Sequence, residues 1–511
     1  DEVLCIPTAF ISYTGDALDK KTPLLRSQVA VEQQAKRVLA LFGRTPQRVV
    51  TTIGPEQEYF LIKESDFERR PDLIYCGRTL FGCAPVKGQE LEEHYFGAIR
   101  PTVNEFMKEL DDELWKRGIP AKTKHNEVAP SQHELAPIFE YGSTAVDDNL
   151  LAMEKLKLLA THHGLACLEH EKPFEYVNGS GKHDNWSLCA DGKNLLEPGA
   201  VPSENLQFLV FLTCLIAAVD TRADLLRMSV ASAGVPALPD VLRDTTDRNR
   251  TSPFAFTGNK FEFRMCGSQQ NLSDPNVVLN TAVAEQCDAF ATELGGLTGD
   301  EFTRAALDWV RRTLREHHRV IFEGNGYSEE WEQEAERRGL PNLRSTPETL
   351  PCMVDPKTVA FYEKYHVLNE AELHARYVSK AEQYAKLLNI EANTMVYMSR
   401  HLYLPALFDY SGDIATSVAT KAEIGIDSPV EKELVRTLTD GISAIHEAVA
   451  DLEANNADAR AVDDPLEQCY AYRDHVIPSM DHLRASVDAM EKVVGAEYWP
   501  VPTYNEMLFW V

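Results

Sequence analysis

The stretch Arg48-Val49-Val50-Thr51-Thr52-Ile53-Gly54-Pro55-Glu56-Gln57-Glu58-Tyr59-Phe60-Leu61-Ile62 decides how the chain is read. Its β-branched and aromatic residues predict a strand. In a strand Glu56 and Glu58, two apart, leave the same face. Two carboxylates on one face repel each other unless a cation or a shared proton compensates. A solvated edge strand is the bland alternative; Tyr59, Phe60, Leu61 and Ile62 argue for a buried strand, and these residues alone leave the two readings even.

Three more segments carry groups of the same chemistry. In Glu127-Val128-Ala129-Pro130-Ser131-Gln132-His133-Glu134 the two glutamates are seven apart, which one straight strand would send to opposite faces. Pro130-Ser131 supplies a bend that can return them to one side, although taken alone an acidic loop is the commoner explanation. In Phe261-Glu262-Phe263-Arg264 the charged residues share a face. A simple ion pair would account for them; the other reading puts Glu262 on a metal and the planar fork of Arg264 on an anionic substrate. His183 follows the flexible turn Asn178-Gly179-Ser180-Gly181-Lys182. A lone histidine is more often structural than a ligand.

Two familiar chemistries fail here. The GxxxxGK[ST] phosphate loop is excluded because Tyr176 stands where its first glycine belongs and His183 replaces the Ser/Thr. The zinc motif HExxH fails because His170-Glu171-Lys172-Pro173-Phe174 has no second histidine, and Pro173 interrupts a helix. Five carboxylates with one imidazole and no thiolate select Mg²⁺ or Mn²⁺, in number enough for two ions. Two such ions can clamp the attacking and departing oxygens of a phosphoryl transfer.

The chain has 511 residues, 44% hydrophobic and 25% charged, with a formal charge of −28. That length allows two or three cores. The charge argues against a nucleic-acid or anionic-membrane partner. Ten scattered cysteines without a CxxC pair read as reduced thiols of a cytoplasmic protein. The apolar run from Leu206 to Val219 is short for a membrane span and reads as a buried helix.

Helical patterns are predicted at 25–43 (stopped by Gly43), 102–117, 144–169 and 204–229, with strand-like sequence at 48–62 and 254–264. From about Asn276 strand signals fade. Helices are predicted at 276–295, 301–318, 370–403, 429–455 and 476–494, with Asn455–Asp458 and Asp463-Asp464-Pro465 as punctuation between the last two. The expected division is a catalytic α/β part over 1–275 and a mainly helical part over 276–511.

Taken together and in this order, the four metal-type motifs resemble the metal-binding strands of glutamine synthetases. The strings Lys122-Thr123-Lys124-His125-Asn126-Glu127-Val128-Ala129-Pro130 and Arg248-Asn249-Arg250-Thr251-Ser252-Pro253-Phe254-Ala255-Phe256-Thr257-Gly258-Asn259-Lys260 resemble the type III form. The resemblance implies an α+β fold: an antiparallel sheet lined by metal ligands, flanked by helices, with a helical C-terminal region. It implies that Glu58, Glu127 and Glu134 hold one Mg²⁺ (or Mn²⁺) near glutamate, and that Glu56, His183 and Glu262 hold a second between the ATP phosphates. Gly179 would lie in the glutamate-binding turn. Arg264 would meet the glutamate carboxylate or the phosphoryl group, Arg250 the transferred phosphate, and Ser187 the nucleotide. The implied reaction joins ammonium to glutamate through γ-glutamyl phosphate at the expense of ATP. The implied assembly is a homo-oligomer, a dodecamer of two stacked hexameric rings.

Two parts of the family pattern are not in the sequence. With Asp1 as its first residue, the chain is expected to start after the family's N-terminal β-grasp domain. A flap element of Asn-Glu-Ala-Pro type, expected between the 204–229 helix and Arg248, is also missing: Ser232-Ala233-Gly234 runs straight into Val235-Pro236-Ala237. The expectation is that Gly234–Val235 joins segments that are not adjacent in the intact protein. Rival readings are a glutamate ligase using another amine, a non-catalytic nucleotide-binding ring scaffold or sensor, and a two-metal phosphohydrolase.

Overall fold

A computed structural model describes residues 4–231, 252–326 and 328–509. The fold is α+β. Among the described residues nine strands form one antiparallel sheet: β1 (Val49–Lys63), β2 (Ala121–Asn126), β3 (Gln132–Pro137), β4 (Glu140–Tyr141), β5 (Leu165–Leu168), β6 (Gly181–Ala190), β7 (Lys193–Asn194), β8 (Phe254–Phe256) and β9 (Phe261–Gly267). The main order is β2-β3-β1-β6-β9-β8; β4 and β5 also pair with β1, and β7 with β6. The strand expected at 48–62 is thus the longest and most connected.

Alternation along β1 sorts its side chains. Tyr59 and Leu61 enter a core with Phe106, Leu110 and Leu114 of the Pro101–Lys116 helix and Leu156 and Leu159 of the Gly142–His162 helix. Phe60 and Ile62 leave the other face and meet Phe174, Tyr504, Met507 and Leu508. Glu56 and Glu58 share that second face but lie before its apolar cover begins. This leaves a polar stretch of β1 on that face.

The Lys21–Leu41 helix stops where expected, with Gly43 at φ +69°. The helix expected at 144–169 ends at His162. Gly164 turns the chain at φ +65°, and Leu165–Leu168 becomes β5, paired with Phe60–Lys63. The helix expected at 204–229 is two, Leu206–Thr221 and Ala223–Ser229, broken at Arg222, whose guanidinium grips Glu285. The strand-like 254–264 is a β8–β9 hairpin, with Thr257 N–H donating to the Lys260 carbonyl. Among the described residues no helix is long and apolar enough to cross a membrane. The apolar run at 206–219 packs Phe211, Cys214, Leu215 and Ala218 into the largest core.

Among the described residues no strand follows β9. The largest core continues past it, through the Ser273–Glu293 and Gly299–Glu316 helices to Leu373. A second core, almost wholly helical, runs from Ala381 to Val501 and also takes in Leu80, Phe81 and Leu350. The helix expected at 370–403 passes through a wide turn at Ser399–Tyr403 into Leu404–Glu423. The Pro429–Arg460 helix runs through Asn455–Asp458 instead of stopping there. Its buried Asn456 donates to Asn389 and Asn393 (3.1 and 3.2 Å), so tertiary partners override a residue that favours turns.

One buried pair ties the second core to the sheet domain. Arg70 donates to both Asp72 oxygens (3.0 and 2.7 Å) and to the Pro502 and Phe81 carbonyls, with both side chains at most 1% exposed. Removing one member leaves an uncompensated buried charge. Asp72→Ala is expected to destabilise the protein by roughly 3–5 kcal/mol, read as a fall in melting temperature; an unchanged melt would show the pair to be dispensable.

Candidate active site

Register assembles the cleft. β1 pairs with β3 through Glu58↔Glu134 and with β6 through Glu56↔His183. Opposed residues of an antiparallel ladder place their side chains on one face, roughly 5 Å apart at Cβ. β6 then pairs with β9, setting Asn185 opposite Glu262. All six residues expected as metal ligands stand on these strands or the turn between β2 and β3.

They fall into two groups, one each side of β1. In the first, the β2–β3 turn closes with Glu127 N–H donating to the Gln132 carbonyl (2.9 Å), and Ser131 takes φ +62°. This is the bend expected at Pro130-Ser131, and it returns Glu134 to face His125. His125 Nε2 lies 2.8 Å from Glu134 Oε1, and its Nδ1 lies 3.6 Å from Glu127 Oε1 and 2.8 Å from the Asn126 carbonyl. Ligand atoms of His125, Glu127 and Glu134 all lie within 4.8 Å of one another. His125 was not among the residues singled out from sequence. Its position two before Glu127, hence on the same strand face, was the available signal.

Glu58, Glu127 and Glu134 are all under 10% exposed. Burial, followed by the charges of Glu127 and Glu134, pushes the Glu58 carboxyl up to about 8, although His183 and the Gly181 N–H oppose this. Its Oε2 accepts from Gly181 N–H (2.8 Å) and Gln132 Nε2 (3.2 Å). The hydrogen bond to Glu134 raises His125 to about 9 against its own burial. His125 thus stands against Glu127 and Glu134, while the imidazole that acts on Glu58 is His183 of the second group.

In the second group His183 Nδ1 lies 2.7 Å from Glu56 Oε2, and Asn185 Nδ2 donates to Glu56 Oε1 (3.0 Å). Burial is the largest influence against charge on both partners, but their mutual bond together with the attraction of neighbouring charges, and Asn185 on Glu56, outweighs it: Glu56 is lowered and His183 raised. Glu262 accepts from Arg264 Nη2 (2.8 Å), Arg264 Nε (3.1 Å) and Lys260 Nζ (3.0 Å). Burial opposes its ionisation, yet these donors hold it down at about 2. Lys260 also donates to Asn185, so the two strands share one polar network.

The remaining expected residues fall around these groups. Gly179 has no room for a side chain, because a Cβ would sit 2.5 Å from the Glu171 carbonyl oxygen. That same oxygen accepts from Ser180 N–H (2.8 Å), and Gln132 Nε2 donates to the Gly179 carbonyl (2.9 Å). The turn is thereby tied to the Glu58 group. Ser187 pairs with Thr52 at the far end of β6, its Oγ 2.8 Å from Asn194 Oδ1 and 3.1 Å from the Asn259 carbonyl. Arg250 and the Gly234–Val235 junction lie outside the described residues.

The donor set fits hard divalent cations. Carboxylate oxygens dominate with an imidazole on each side and no thiolate, the chemistry of Mg²⁺ or Mn²⁺ and not of structural zinc.

Comparison with known proteins agrees with this geometry. Residues 32–210 match the model of "Glutamine synthetase, catalytic domain", residues 305–422 that of "Glutamine synthetase C-terminal domain", and residues 1–27 that of "Glutamine synthetase type III N terminal", so the first residues fall within an N-terminal match and not after it as expected. The glutamine synthetase of Butyrivibrio fibrisolvens is 41% identical over 560 aligned positions, covering 100% of this chain and 80% of that protein. The type-3 glutamine synthetase of Dictyostelium discoideum is 40% identical over 99% of this chain and 77% of its own length. The glutamine synthetase of Bacteroides fragilis is 40% identical over 100% and 78%. The first alignment is longer than the chain itself, so the Butyrivibrio protein has residues within it that this chain lacks.

Two predictions follow from the charges. Glu58→Gln removes one of three mutually repelling buried carboxylates, so the metal-free variant is expected to melt higher than the parent while losing activity; a lower melting temperature in chelator would contradict the charge reading. Glu171, beneath the Gly179 turn, is raised by burial from 4.5 to about 7. A carboxyl raised on folding adds stability below its unfolded value and loses it as pH climbs to the folded one. Relative to Glu171→Gln, the parent should lose roughly 3 kcal/mol between pH 4.5 and 7 and nothing more above. Parallel stability curves across that window would refute the burial of an ionisable group there.

Proposed function

The chain belongs to the glutamine synthetase family, and from that premise we propose how its cleft performs the ligation. The protein is a glutamate–ammonia ligase that makes glutamine with ATP. The observation that carries the mechanism is the pair of carboxylate groups flanking β1 on one face, the Glu58 group buried and the Glu56 group partly so.

In this reading Glu58, Glu127 and Glu134, joined by His125, hold one divalent cation, and Glu56, His183 and Glu262 hold another. The ions are Mg²⁺ or Mn²⁺, which hard oxygen donors favour. When bound, such ions neutralise charge on the phosphoryl oxygens and align them. Gly179 leaves the turn bare of side chain where the amino acid approaches. Arg264, whose Nε and Nη2 are held on Glu262, would give up part of that bond to meet the glutamate carboxylate or the phosphoryl group. Arg250 would serve the transferred phosphate, and Ser187 would lie on the nucleotide side, at the end of β6 away from Gly179.

The first step transfers a phosphoryl group. An oxygen of the glutamate γ-carboxylate attacks the γ-phosphorus, the bond to the bridging oxygen breaks, and ADP leaves. Ammonia then attacks the acyl carbon of γ-glutamyl phosphate and expels phosphate, leaving glutamine. For the protein the work is positioning and charge compensation, since a carboxylate is a weak nucleophile that must be held in line.

We further propose that residues 1–275 carry the chemistry and that 276–511 serve mainly packing and assembly, and that the protein is a ring-shaped homo-oligomer, a dodecamer of two hexamers. Exposed apolar residues such as Phe10, Tyr13, Phe139 and Tyr141 support an assembly. The ten free thiols support the cytoplasm as its compartment.

With Mg²⁺, ATP and glutamate, the protein is expected to form glutamine only when ammonium is added. ADP release without glutamine would mean that only the first step runs. No glutamate-dependent turnover would favour a nucleotide-binding scaffold.

A further inference from the structure

Between Glu56 and Glu58, Gln57 points to the opposite face of β1 and is 1% exposed. It stands where the strand changes partners. The β6 ladder ends at Gln57↔Lys182, and the β5 ladder begins at Phe60↔Leu168, so Glu58 and Tyr59 fall between the two. A candidate ligand therefore sits where main-chain pairing on that side gives out, and the Glu58 carbonyl needs donors from elsewhere.

Side chains supply them. Gln57 Nε2 lies 2.9 Å from the Glu58 carbonyl, 3.0 Å from the Ser268 carbonyl and 2.9 Å from Ser268 Oγ. Ser268 Oγ donates to the Glu58 carbonyl at 2.6 Å. Ser268 follows β9 directly, and its N–H donates to the Ser180 carbonyl (3.3 Å). On its acceptor side, Gln57 Oε1 takes a bond from Asn149 Nδ2 (3.1 Å), and Asn149 Oδ1 takes one from Lys182 Nζ (2.8 Å). Gln57, Asn149, Lys182 and Ser268 are all under 5% exposed. The braces link β1 to the end of β9, to the Gly179–Ser180 turn and to the helix behind the sheet.

We propose that Gln57 and Ser268 are positioning residues of the ligation, fixing where the Glu58 carboxylate stands relative to β9 and the Gly179 turn. The inference rests on the cleft binding divalent cations as described above. Neither residue touches substrate in this role; each acts through the main chain of Glu58. Partners of this kind typically change metal affinity or activity ~10–100-fold when removed.

The test uses Gln57→Leu and Ser268→Ala in the full chain, with Mn²⁺ titrated alone by calorimetry and kcat and KM measured separately. Both variants should bind Mn²⁺ about 10-fold or more weakly and lose kcat, with KM for ATP unchanged. A merely structural role would lower the melting temperature and leave Mn²⁺ affinity and kcat at parental values, and that result overturns the proposal. Should Gln57→Leu fail to fold, Ser268→Ala, which removes one of two donors, decides. Because the metal is titrated alone, the affinity answers even for a protein that makes no glutamine, so the two proposals fail separately.

Discussion

Three carboxylates buried against one another cannot all stay ionised without positive charge to match. Glu58, Glu127 and Glu134 are in this position. Everything near them holds the arrangement in spite of its repulsion: the β2–β3 turn that brings Glu134 back against His125, the Gly181 N–H and Gln132 amide on the Glu58 carboxylate, and the Gln57 and Ser268 donors on its carbonyl. A fold seeking only stability would replace these groups with apolar ones. Keeping them is intelligible when a divalent cation supplies the missing charge and the reaction needs that cation.

The same logic runs differently across β1. Glu56 and Glu262 are already compensated, by His183, Asn185, Lys260 and Arg264. The cleft therefore has one charge-deficient side and one balanced side. A substrate mixture of triphosphate and amino acid dicarboxylate brings many negative charges into a protein of formal charge −28. Local cations, whether bound ions or the basic side chains of β9 and its turn, make that approach possible.

Much of this was legible in the sequence because strand alternation and carboxylate chemistry are local. Glu56 and Glu58 on one face, the bend at Pro130-Ser131 and the Glu262–Arg264 pair all needed only neighbours a few positions away. His125 was harder, since its importance depends on a cross-strand contact with Glu134 that only the register reveals. Gln57 was harder still: its role comes from a gap between two ladders, which no periodicity encodes. Helix ends were misjudged for related reasons. Leu165–Leu168 looks like a helical tail until β1 claims it as a strand, and Asn455-Asn456 looks like a stop until Asn456 finds Asn389 and Asn393 across the helix interface.

The most direct test of the chemistry follows one oxygen. Glutamate carrying ¹⁸O in its γ-carboxylate is supplied with ATP, Mg²⁺ and ammonium, and the released inorganic phosphate is weighed by mass spectrometry. If the carboxylate is activated by attack on the γ-phosphorus, one labelled oxygen crosses to phosphate for each glutamine formed. Glutamine appearing with unlabelled phosphate would mean that the carboxylate never bonded to phosphorus, and the phosphoryl-transfer reading of the cleft would be wrong.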